Sequence, residues 1–332
     1  MAPRTPVKVL SGTSFELGEI ACGTSPSINP DYPAIYQDNA TWVRKFLPFA
    51  DAETMRAMLE CRYPMWDSLI YARGIAEPVR HSARMSSLMF EVDDVAVLRQ
   101  AFFADINADW MADHPYGPAF IDILGTMRRR MPSRVYQRWV RTWRDWFRDV
   151  LRENRLRSGL QQPELDTCLE IRQSSVGLRP YVVCAEYVLD LDLTDELAAD
   201  DELAAAGELT VRHIMLTNDL FSFRRENAMG EHFNALSALL RYHAPNIQTA
   251  VDMLGDMIRK VDQELADMCD RLRRRYADPG VRAYLDTLGS MCAGNLYWSF
   301  ETSRYHGSGH AWNGRRSGLI TLGHNRTTFG PG

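Results

Sequence analysis

Lysine is scarce in this chain. It occurs only at positions 8, 45 and 260, although 38 basic residues stand against 43 acidic ones. The basic charge is therefore almost entirely arginine, whose planar fork suits phosphate recognition better than a lysine ammonium does. The formal net charge is -5, which leaves no electrostatic footprint for nucleic acid or for an anionic membrane. We expect neither as a partner.

Paired cysteines and long apolar runs are also missing. The six cysteines form no CxxC pair and no Cys/His metal-ligand spacing, which indicates free thiols in a reducing compartment. The first residues lack the apolar core of a signal peptide. No run of about 18 apolar residues, the length of a membrane-spanning helix, occurs in the chain. These absences predict a cytoplasmic protein.

Strand patterns are equally rare, because no series of alternating apolar and polar residues is bounded by hairpin turns, and no repeat of fixed period appears. Helical spacing is frequent instead. Apolar residues recur three and four positions apart at Trp139, Trp143, Trp146 and Val150, and again along residues 246–276. The pattern predicts an all-α fold.

Composition divides the chain into three parts. Residues 1–30 are rich in Pro, Ser, Thr and Gly, and we expect a poorly ordered N-terminal lead-in. Residues 31–306 have helical texture throughout and predict a single α-helical domain. Residues 307–332 are rich in glycine and have no periodicity, which favours a flexible C-terminal tail or a lid over an active site.

The strongest chemical signal is the segment NDLFSFRRE, residues 218–226. On a helix, about 100° of rotation per residue places Asn218, Ser222 and Glu226 on one stripe. An amide, a hydroxyl and a carboxylate oxygen together form the hard ligand set that Mg²⁺ prefers. An ordinary polar helix face explains the same residues equally well, so this motif alone does not decide the function.

A second signal is the segment FEVDD, residues 90–94. Asp93 and Asp94 follow an apolar stretch that should be buried, and adjacent acids there are costly unless a cation compensates them. A helix that simply reaches solvent at Glu91 is the alternative. Alone, this pair of acids is weak evidence for a metal site.

Together the two segments resemble the metal-binding motifs of the class I terpene synthases, particularly the bacterial cyclases of sesquiterpenes and diterpenes. NDLFSFRRE fills every position of that family's N-D-x-x-S-x-x-[KR]-E motif, and MFEVDD resembles the start of its aspartate-rich motif. Arg172 stands 46 residues before Asn218, as the family's diphosphate-sensing arginine does. Arg304 and Tyr305 resemble the Arg-Tyr pair that closes the family's site.

The resemblance implies a class I terpenoid synthase-like helical barrel or bundle with a central active-site cavity. It implies an enzyme that ionises and cyclises a linear isoprenyl diphosphate and releases diphosphate. The metal ligands would be Asp93, Asp94, Asn218, Ser222 and Glu226, holding three Mg²⁺ ions. The diphosphate would contact Arg172, Arg225, Arg304 and Tyr305.

The resemblance also implies a cavity that stabilises carbocations, since aromatic faces attract passing positive charge. The aromatic candidates nearest the motifs are Phe90, Phe221 and Trp298. A helix break at Val176 and Gly177 would present a backbone carbonyl to the nascent cation, and glycine permits such a break. Four other tryptophans, Trp66, Trp139, Trp143 and Trp146, are expected in the core.

One departure from the family pattern concerns the first motif. Its usual third acid, three or four residues beyond the second aspartate, is replaced here by Val97 and Leu98. In the family the first aspartate supplies most of the direct metal contact, so we expect activity to survive with Asp93 and Asp94 alone. The histidines His81, His213, His232 and His243 lack metal-ligand spacing and are not expected to bind metal.

Two other functions are compatible with such a fold. A chain-elongating prenyltransferase would carry two DDxxD motifs, whereas the second motif here is of the asparagine-serine-glutamate type. A non-catalytic helical scaffold is favoured only by the missing third acid. The sequence leaves open whether the substrate has 15 or 20 carbons, which skeleton forms, whether water quenches the final cation, and whether the chain forms a homodimer.

Overall fold

The computed structural model describes residues 9–94, 114–158 and 163–330, and helices make up most of that part of the chain. The helices are α1 (Tyr32–Phe46), α2 (Ala52–Glu60), α3 (Tyr63–Ile70), α4 (Ala76–Asp94), α5 (Gly117–Arg130), α6 (Ser133–Ser158), α7 (Leu165–Ser175), α8 (Arg179–Val188), α9 (Thr194–Ala199), α10 (Asp201–Met229), α11 (Ala235–Tyr242), α12 (Ile247–Arg275), α13 (Pro279–Glu301) and α14 (Ser303–His306). The strands are β1 (Ser14–Leu17), β2 (Gly318–Leu322) and β3 (Thr327–Phe329). The prediction of an all-α fold is confirmed, with a minor sheet added.

The two amphipathic segments predicted from periodicity form helices whose apolar sides face the core. On α6, Trp139, Trp143 and Trp146 are buried, and on α12 the buried side includes Leu254 and Ile258. None of the helices in the described ranges is long and apolar enough to cross a membrane.

Helix α10 lies at the centre of the bundle and packs against α12 and α13, while α3 packs against α13 and α4. It begins after Asp200, whose carboxylate accepts hydrogen bonds from the backbone N–H groups of Glu202 and Leu203. It ends at Gly230, whose φ of 75° is the left-handed conformation that commonly stops a helix. These signals fix the length of the helix that carries residues 218–226.

The two ends of the described chain meet in a small antiparallel sheet of order β1-β2-β3. Phe15 pairs with Ile320, and Thr321 pairs with Thr328. Inward residues alternate with outward ones, so Phe15, Leu17 and Ile320 are buried. The sequence predicts neither strand nor pairing for residues 1–30 and 307–332, because each strand is too short to show a periodic pattern. Lid-like motion of the C-terminal segment stays a prediction.

The sheet covers the side of α10 that faces away from residues 218 and 222. Leu220 and Phe223 pack near Phe15 and Ile320. The Asn227 side chain pairs with the backbone N–H and carbonyl of Val9, at distances of 3.2 and 2.9 Å. The terminal segments therefore hold one side of α10 and leave the other side to the interior of the bundle.

Residues 20–24 are anchored to α10 and α12 by a polar cluster of Cys22, His213 and Asp262, whose ligand-type atoms lie within 4.8 Å of one another. His213 Nε2 lies 3.2 Å from the carbonyl oxygen of Ala21. The backbone N–H of Gly23 donates to Asp262 Oδ1 at 3.0 Å. These hydrogen bonds give the cluster a structural role, although the sequence spacing of its members shows no relation between them.

Candidate active site

A cavity of about 210 Å³ lies between α10 and the helices that face it. Its lining comes from α3, α4, α6, α7, α8, α10, α13 and α14. Most of the residues predicted from the sequence line it together: Phe90, Arg172, Val176, Gly177, Asn218, Ser222, Arg225, Glu226, Trp298, Arg304 and Tyr305. Segments far apart in the chain thus converge on one space.

The predicted ligand stripe of α10 faces this cavity. Asn218 Nδ2 donates to the Tyr305 hydroxyl at 2.6 Å, and Asn218 Oδ1 accepts from Arg172 Nη2 at 3.0 Å. About two helical turns further on, Glu226 Oε2 accepts from Asn234 Nδ2 at 2.8 Å. These contacts orient the amide and the carboxylate before any ligand is bound.

Ser222, between them on the stripe, has a buried Oγ without a hydrogen-bond partner among the residues that the structure describes. A buried hydroxyl left without a partner costs roughly 1–3 kcal/mol. A cation that accepted this oxygen as a ligand would remove that cost. With the amide oxygen of Asn218 and the carboxylate of Glu226, the donor set is all oxygen and suits a hard divalent ion.

Arg172, on α7, is buried at the wall of the same cavity. Its Nε donates to Asp219 Oδ1 at 3.0 Å, and its Nη1 lies 4.0 Å from Glu153 Oε2. Burial opposes the charged form, but Asp219, Glu153 and Glu226 outweigh it and raise the pKa of Arg172. The guanidinium is therefore held charged and fixed beside Asn218.

Two carboxylates of this network, Asp219 and Glu153, were missed by the sequence analysis. Asp219 is fully buried and also accepts a hydrogen bond from the backbone N–H of Ala235 at 2.7 Å. Glu153, on α6, is buried and also bonds to Ser175 Oγ. Asp219 follows Asn218 on a largely apolar helix, which was a usable signal, whereas nothing near Glu153 in the sequence points to the cavity.

Arg304, on α14, reaches the cavity beside two stacked rings. Its Nη1 donates to the Tyr63 hydroxyl at 3.0 Å, and its guanidinium lies 4.8 Å from the centre of the Phe90 ring. The Tyr63 and Phe90 rings are parallel, with centroids 4.2 Å apart. Burial raises the pKa of the neighbouring Tyr305 to about 12, so its phenol is neutral and can donate.

The aromatic lining is richer than the sequence predicts. Phe90 and Trp298 line the cavity, but so do Trp66, Trp143 and Trp146, for which a core position is predicted. The three rings are buried in the core as predicted, and they also form part of the cavity wall, which helical periodicity does not separate from a core. Trp139, which is buried and absent from the lining, is a core residue as predicted.

Phe221 differs from the other aromatic candidates, since it does not line this cavity. Its ring packs at 4.8 Å against Phe300 and at 6.1 Å against His306, beneath the terminal sheet. Position 221 lies about 60° around the helix from Asn218, at the edge of the ligand stripe. The structure therefore does not place Phe221 with the other predicted aromatic residues of the cavity.

The predicted helix break follows α7. Val176 ends the helix, and Gly177 adopts a φ of 75°. The indole Nε1 of Trp146 donates to the carbonyl oxygen of Ser175 at 2.7 Å, which fixes the break against α6. A Cβ at position 177 would lie 3.1 Å from the same indole nitrogen. Both the conformation and the close approach of Trp146 favour glycine here.

We expect Gly177→Ala to lower the free energy of unfolding by more than the ~1–2 kcal/mol that a left-handed alanine costs. Gly230→Ala is the matched control, since Gly230 has the same φ of 75° with nothing within 4 Å of the added Cβ. Urea denaturation of both variants measures the difference. Equal losses would show that the contact with Trp146 is unimportant.

The first acidic motif is only partly covered by the structure. Asp93 and Asp94 fall in the last turn of α4, and their side chains lie outside the described residues, as do Val97 and Leu98. Glu91 accepts a hydrogen bond from the Tyr116 hydroxyl at 3.0 Å. The assignment of Asp93 and Asp94 as metal ligands therefore stays a prediction.

A helical bundle with an arginine-lined, aromatic cavity and an oxygen-ligand stripe is the arrangement of a class I terpene synthase. Residues 90–264, more than half of the chain, match the family described as terpene synthase family 2, C-terminal metal binding. The chain belongs to this family and is an enzyme of the terpene synthase class, whose C-terminal region binds divalent metal.

Individual relatives agree with this placement. The chain is 24% identical over 315 residues to the (E)-2-epi-beta-caryophyllene synthase of Selaginella moellendorffii, covering 88% of this chain and 86% of the relative. It is 29% identical over 299 residues to the sesquiterpene synthase Agr8 of Cyclocybe aegerita, covering 84% and 83%. Linalool/nerolidol synthase from Streptomyces clavuligerus, solved with 2-fluorogeranyl diphosphate, has the same fold, with a TM-score of 0.70 at 20% identity over 85% of this chain and 98% of that one.

Proposed function

We propose that this terpene synthase ionises and cyclises farnesyl diphosphate in a Mg²⁺-dependent reaction that releases diphosphate. The observation that carries the proposal is the convergence of Asn218, Ser222, Glu226 and Arg172 on one buried cavity. This convergence places a ligand set suited to a hard cation beside the charged guanidinium of Arg172. An ordinary polar helix face, the alternative left open by the sequence, would be turned to solvent.

Three Mg²⁺ ions would be held by Asp93, Asp94, Asn218, Ser222 and Glu226. The partnerless oxygen of Ser222 supports this assignment for the α10 side. When bound, the ions supply Lewis acidity that stabilises the negative charge on the leaving diphosphate. The resemblance of the motifs supports the number of ions and the roles of Asp93 and Asp94.

Arg172, Arg225, Arg304 and Tyr305 bind the diphosphate in this proposal. Arg172 is fixed by Asp219, and Arg304 is fixed by Tyr63, so both guanidinium groups are oriented before the substrate arrives. Preorganised donors lower the barrier to heterolysis of the C–O bond, since they need no rearrangement as charge develops on the leaving group.

The walls of the cavity then act on the hydrocarbon chain. Trp66, Phe90 and Trp298 form an aromatic cluster, with Phe90 and Trp298 ring centroids 5.9 Å apart and those of Trp66 and Trp298 6.5 Å apart. Their faces stabilise cations and exclude water, which would quench the cascade early. The carbonyl of Val176 at the helix break is our candidate for the backbone group that faces the first cation.

A 15-carbon substrate is favoured over a 20-carbon one for two reasons. Relatives that match most of the chain, such as Agr8, are named sesquiterpene synthases. The cavity is also lined by bulky rings from α3, α6 and α8, namely Trp66, Trp143, Trp146 and Tyr181. In this proposal these rings limit the length of the hydrocarbon chain that the cavity accepts.

The test is an incubation of the purified protein with the C10, C15 and C20 linear diphosphates, with Mg²⁺ or with EDTA. Products are extracted and identified by gas chromatography–mass spectrometry. We expect cyclic C15 products only with Mg²⁺. Elongated linear diphosphates in the presence of isopentenyl diphosphate would instead indicate a prenyltransferase, and no conversion of any substrate by folded protein would indicate a non-catalytic scaffold.

The proposal extends to the location, oligomeric state and domain organisation of the protein. We also propose a cytoplasmic location, and homodimerisation is expected from the family resemblance. The catalytic unit is residues 31–306, with the lead-in 1–30 and the tail 307–332 as accessory segments. Gel filtration with light scattering tests the dimer.

A further inference from the structure

Asp67, on α3, is a buried carboxylate without a cationic partner in the described ranges of the chain. It is fully buried. The other buried carboxylates there, Glu153, Glu186 and Asp219, each have an arginine nitrogen within 4.0 Å. A buried carboxylate without a cation costs stability unless hydrogen bonds compensate for lost water. A titratable group of this kind beside a reaction cavity is a candidate for proton chemistry.

A line of hydroxyl groups joins Asp67 to the cavity. Ser86 Oγ lies 3.0 Å from Asp67 Oδ1 and 3.1 Å from the Tyr181 hydroxyl oxygen. Tyr181 lines the cavity, where its ring meets Trp66 edge to face at 4.8 Å. The other carboxylate oxygen, Asp67 Oδ2, is buried and has no hydrogen-bond partner among the described residues. One end of the line is thus at the cavity wall and the other has room for a proton.

The hydroxyl of Ser86 has a single hydrogen, so Ser86 can donate to Asp67 or to Tyr181 but not to both. The hydrogen bonds along this line can therefore point in either direction. When Asp67 is ionised, Ser86 donates to Asp67 and the phenol of Tyr181 donates to Ser86, which leaves a lone pair of the phenol oxygen unused. When Asp67 carries a proton, Asp67 donates to Ser86 and Ser86 donates to the Tyr181 oxygen. Passing from the first arrangement to the second, by transfer of each hydrogen along its hydrogen bond, moves a proton across the line without moving a heavy atom.

The electrostatics of the site suit this reversal. Burial raises the pKa of Asp67 to about 7, and the hydrogen bonds from Ser82 and Ser86 oppose that rise. Burial also raises the pKa values of Tyr181, Tyr71 and Cys184, the titratable neighbours, so all three are neutral near pH 7. Asp67 is therefore the group in this cluster that exchanges a proton near neutral pH.

We propose that Tyr181, backed by Ser86 and Asp67, accepts the proton whose loss ends the cyclisation cascade. This inference rests on the proposed function. A C–H bond next to the last cationic carbon breaks, and its electron pair forms the alkene. The proton goes to the Tyr181 oxygen, the phenol's own hydrogen passes to Ser86, and the Ser86 hydrogen passes to the carboxylate of Asp67. The neutral acid returns its proton to solvent by the reverse route after the product leaves.

The test compares Tyr181→Phe, Ser86→Ala and Asp67→Asn with the wild-type enzyme, using farnesyl diphosphate and Mg²⁺. Released diphosphate reports ionisation, and gas chromatography–mass spectrometry in H₂¹⁸O reports how the cascade ends. We expect diphosphate release to stay within about threefold of wild type, because the metal and arginine site is untouched. The wild-type alkene should fall about tenfold as a share of products, replaced by ¹⁸O-labelled alcohols or by isomeric alkenes that have lost a different proton.

Ser87→Ala is the matched control, since Ser87 is the buried neighbour of Ser86 on α4 but bonds to Asn39 Oδ1 at 3.1 Å instead. It should leave the product spectrum as in the wild type. Unchanged product spectra in Tyr181→Phe and Asp67→Asn would overturn the proposal, as would an equal change in Ser87→Ala or a wild-type enzyme that makes only alcohols. A wild-type enzyme that converts no prenyl diphosphate would instead refute the proposed function, so the two failures are distinguishable.

Discussion

Asn218→Ala lowers kcat/KM for farnesyl diphosphate by about 10²–10³-fold while leaving the fold intact, which is the range for removing one group that stabilises charge in a transition state. The amide of Asn218 touches both Arg172 and Tyr305, so its loss removes a metal ligand and loosens two diphosphate contacts together. Initial rates of diphosphate release at several Mg²⁺ concentrations measure the effect. The concentration of Mg²⁺ needed for half-maximal rate should rise as well.

The control for this variant is Asn227→Ala on the same helix. Asn227 is buried like a site residue, but its side chain pairs with the backbone of Val9 on the face away from the cavity. We expect near wild-type turnover and a small loss of stability. Wild-type turnover in Asn218→Ala, or an equal loss in Asn227→Ala, would contradict the assignment of the α10 stripe.

Asp219→Ala should have the largest effect on stability, lowering the free energy of unfolding by ~3–5 kcal/mol. Removal of this carboxylate leaves the buried guanidinium of Arg172 without its nearest anion and removes the acceptor for the backbone N–H of Ala235. Turnover should fall too, because Arg172 loses the contact that aims it. Urea denaturation, with the slope compared between variants, measures the stability change.

A second Asp–Arg pair provides the contrast. Asp195 and Arg134 form an ion pair on the surface, where solvent screens the charges and their separation costs little. Asp195→Ala should leave both the unfolding curve and turnover close to wild type. If Asp219→Ala lowered the free energy of unfolding as little as Asp195→Ala does, Asp219 would not be needed to stabilise the buried charge of Arg172.

The residues whose proximity the sequence predicts are those that one helix or one fixed spacing encodes. Asn218, Ser222 and Glu226 lie on a single helix, so helical geometry alone converts their spacing into proximity. Arg172 was found through its distance along the chain from Asn218, a feature of the family and not of local structure. Their convergence with Tyr305 then follows from how α7, α10 and α14 pack, which periodicity does not specify.

What the sequence could not predict depends on contacts between distant segments. Glu153 and Trp146 face the cavity only because α6 packs beside α7 and α8. Phe221 was chosen because it lies next to Ser222 in the sequence. On the helix, however, its side chain points to the edge of the ligand stripe and packs outside the cavity lining. The terminal sheet joins strands of three to five residues from opposite ends of the chain, each too short for a pattern.

The most direct test of the central claim is calorimetric titration of inorganic diphosphate into the protein with and without Mg²⁺. Our account places the metal ligands and Arg172 around one diphosphate, so Mg²⁺ should strengthen binding at least about tenfold, which is ~1.4 kcal/mol. Asn218→Ala should lose most of that gain. Equal affinity with and without Mg²⁺ in the wild-type protein would contradict the claim that this cavity is a metal-dependent diphosphate site.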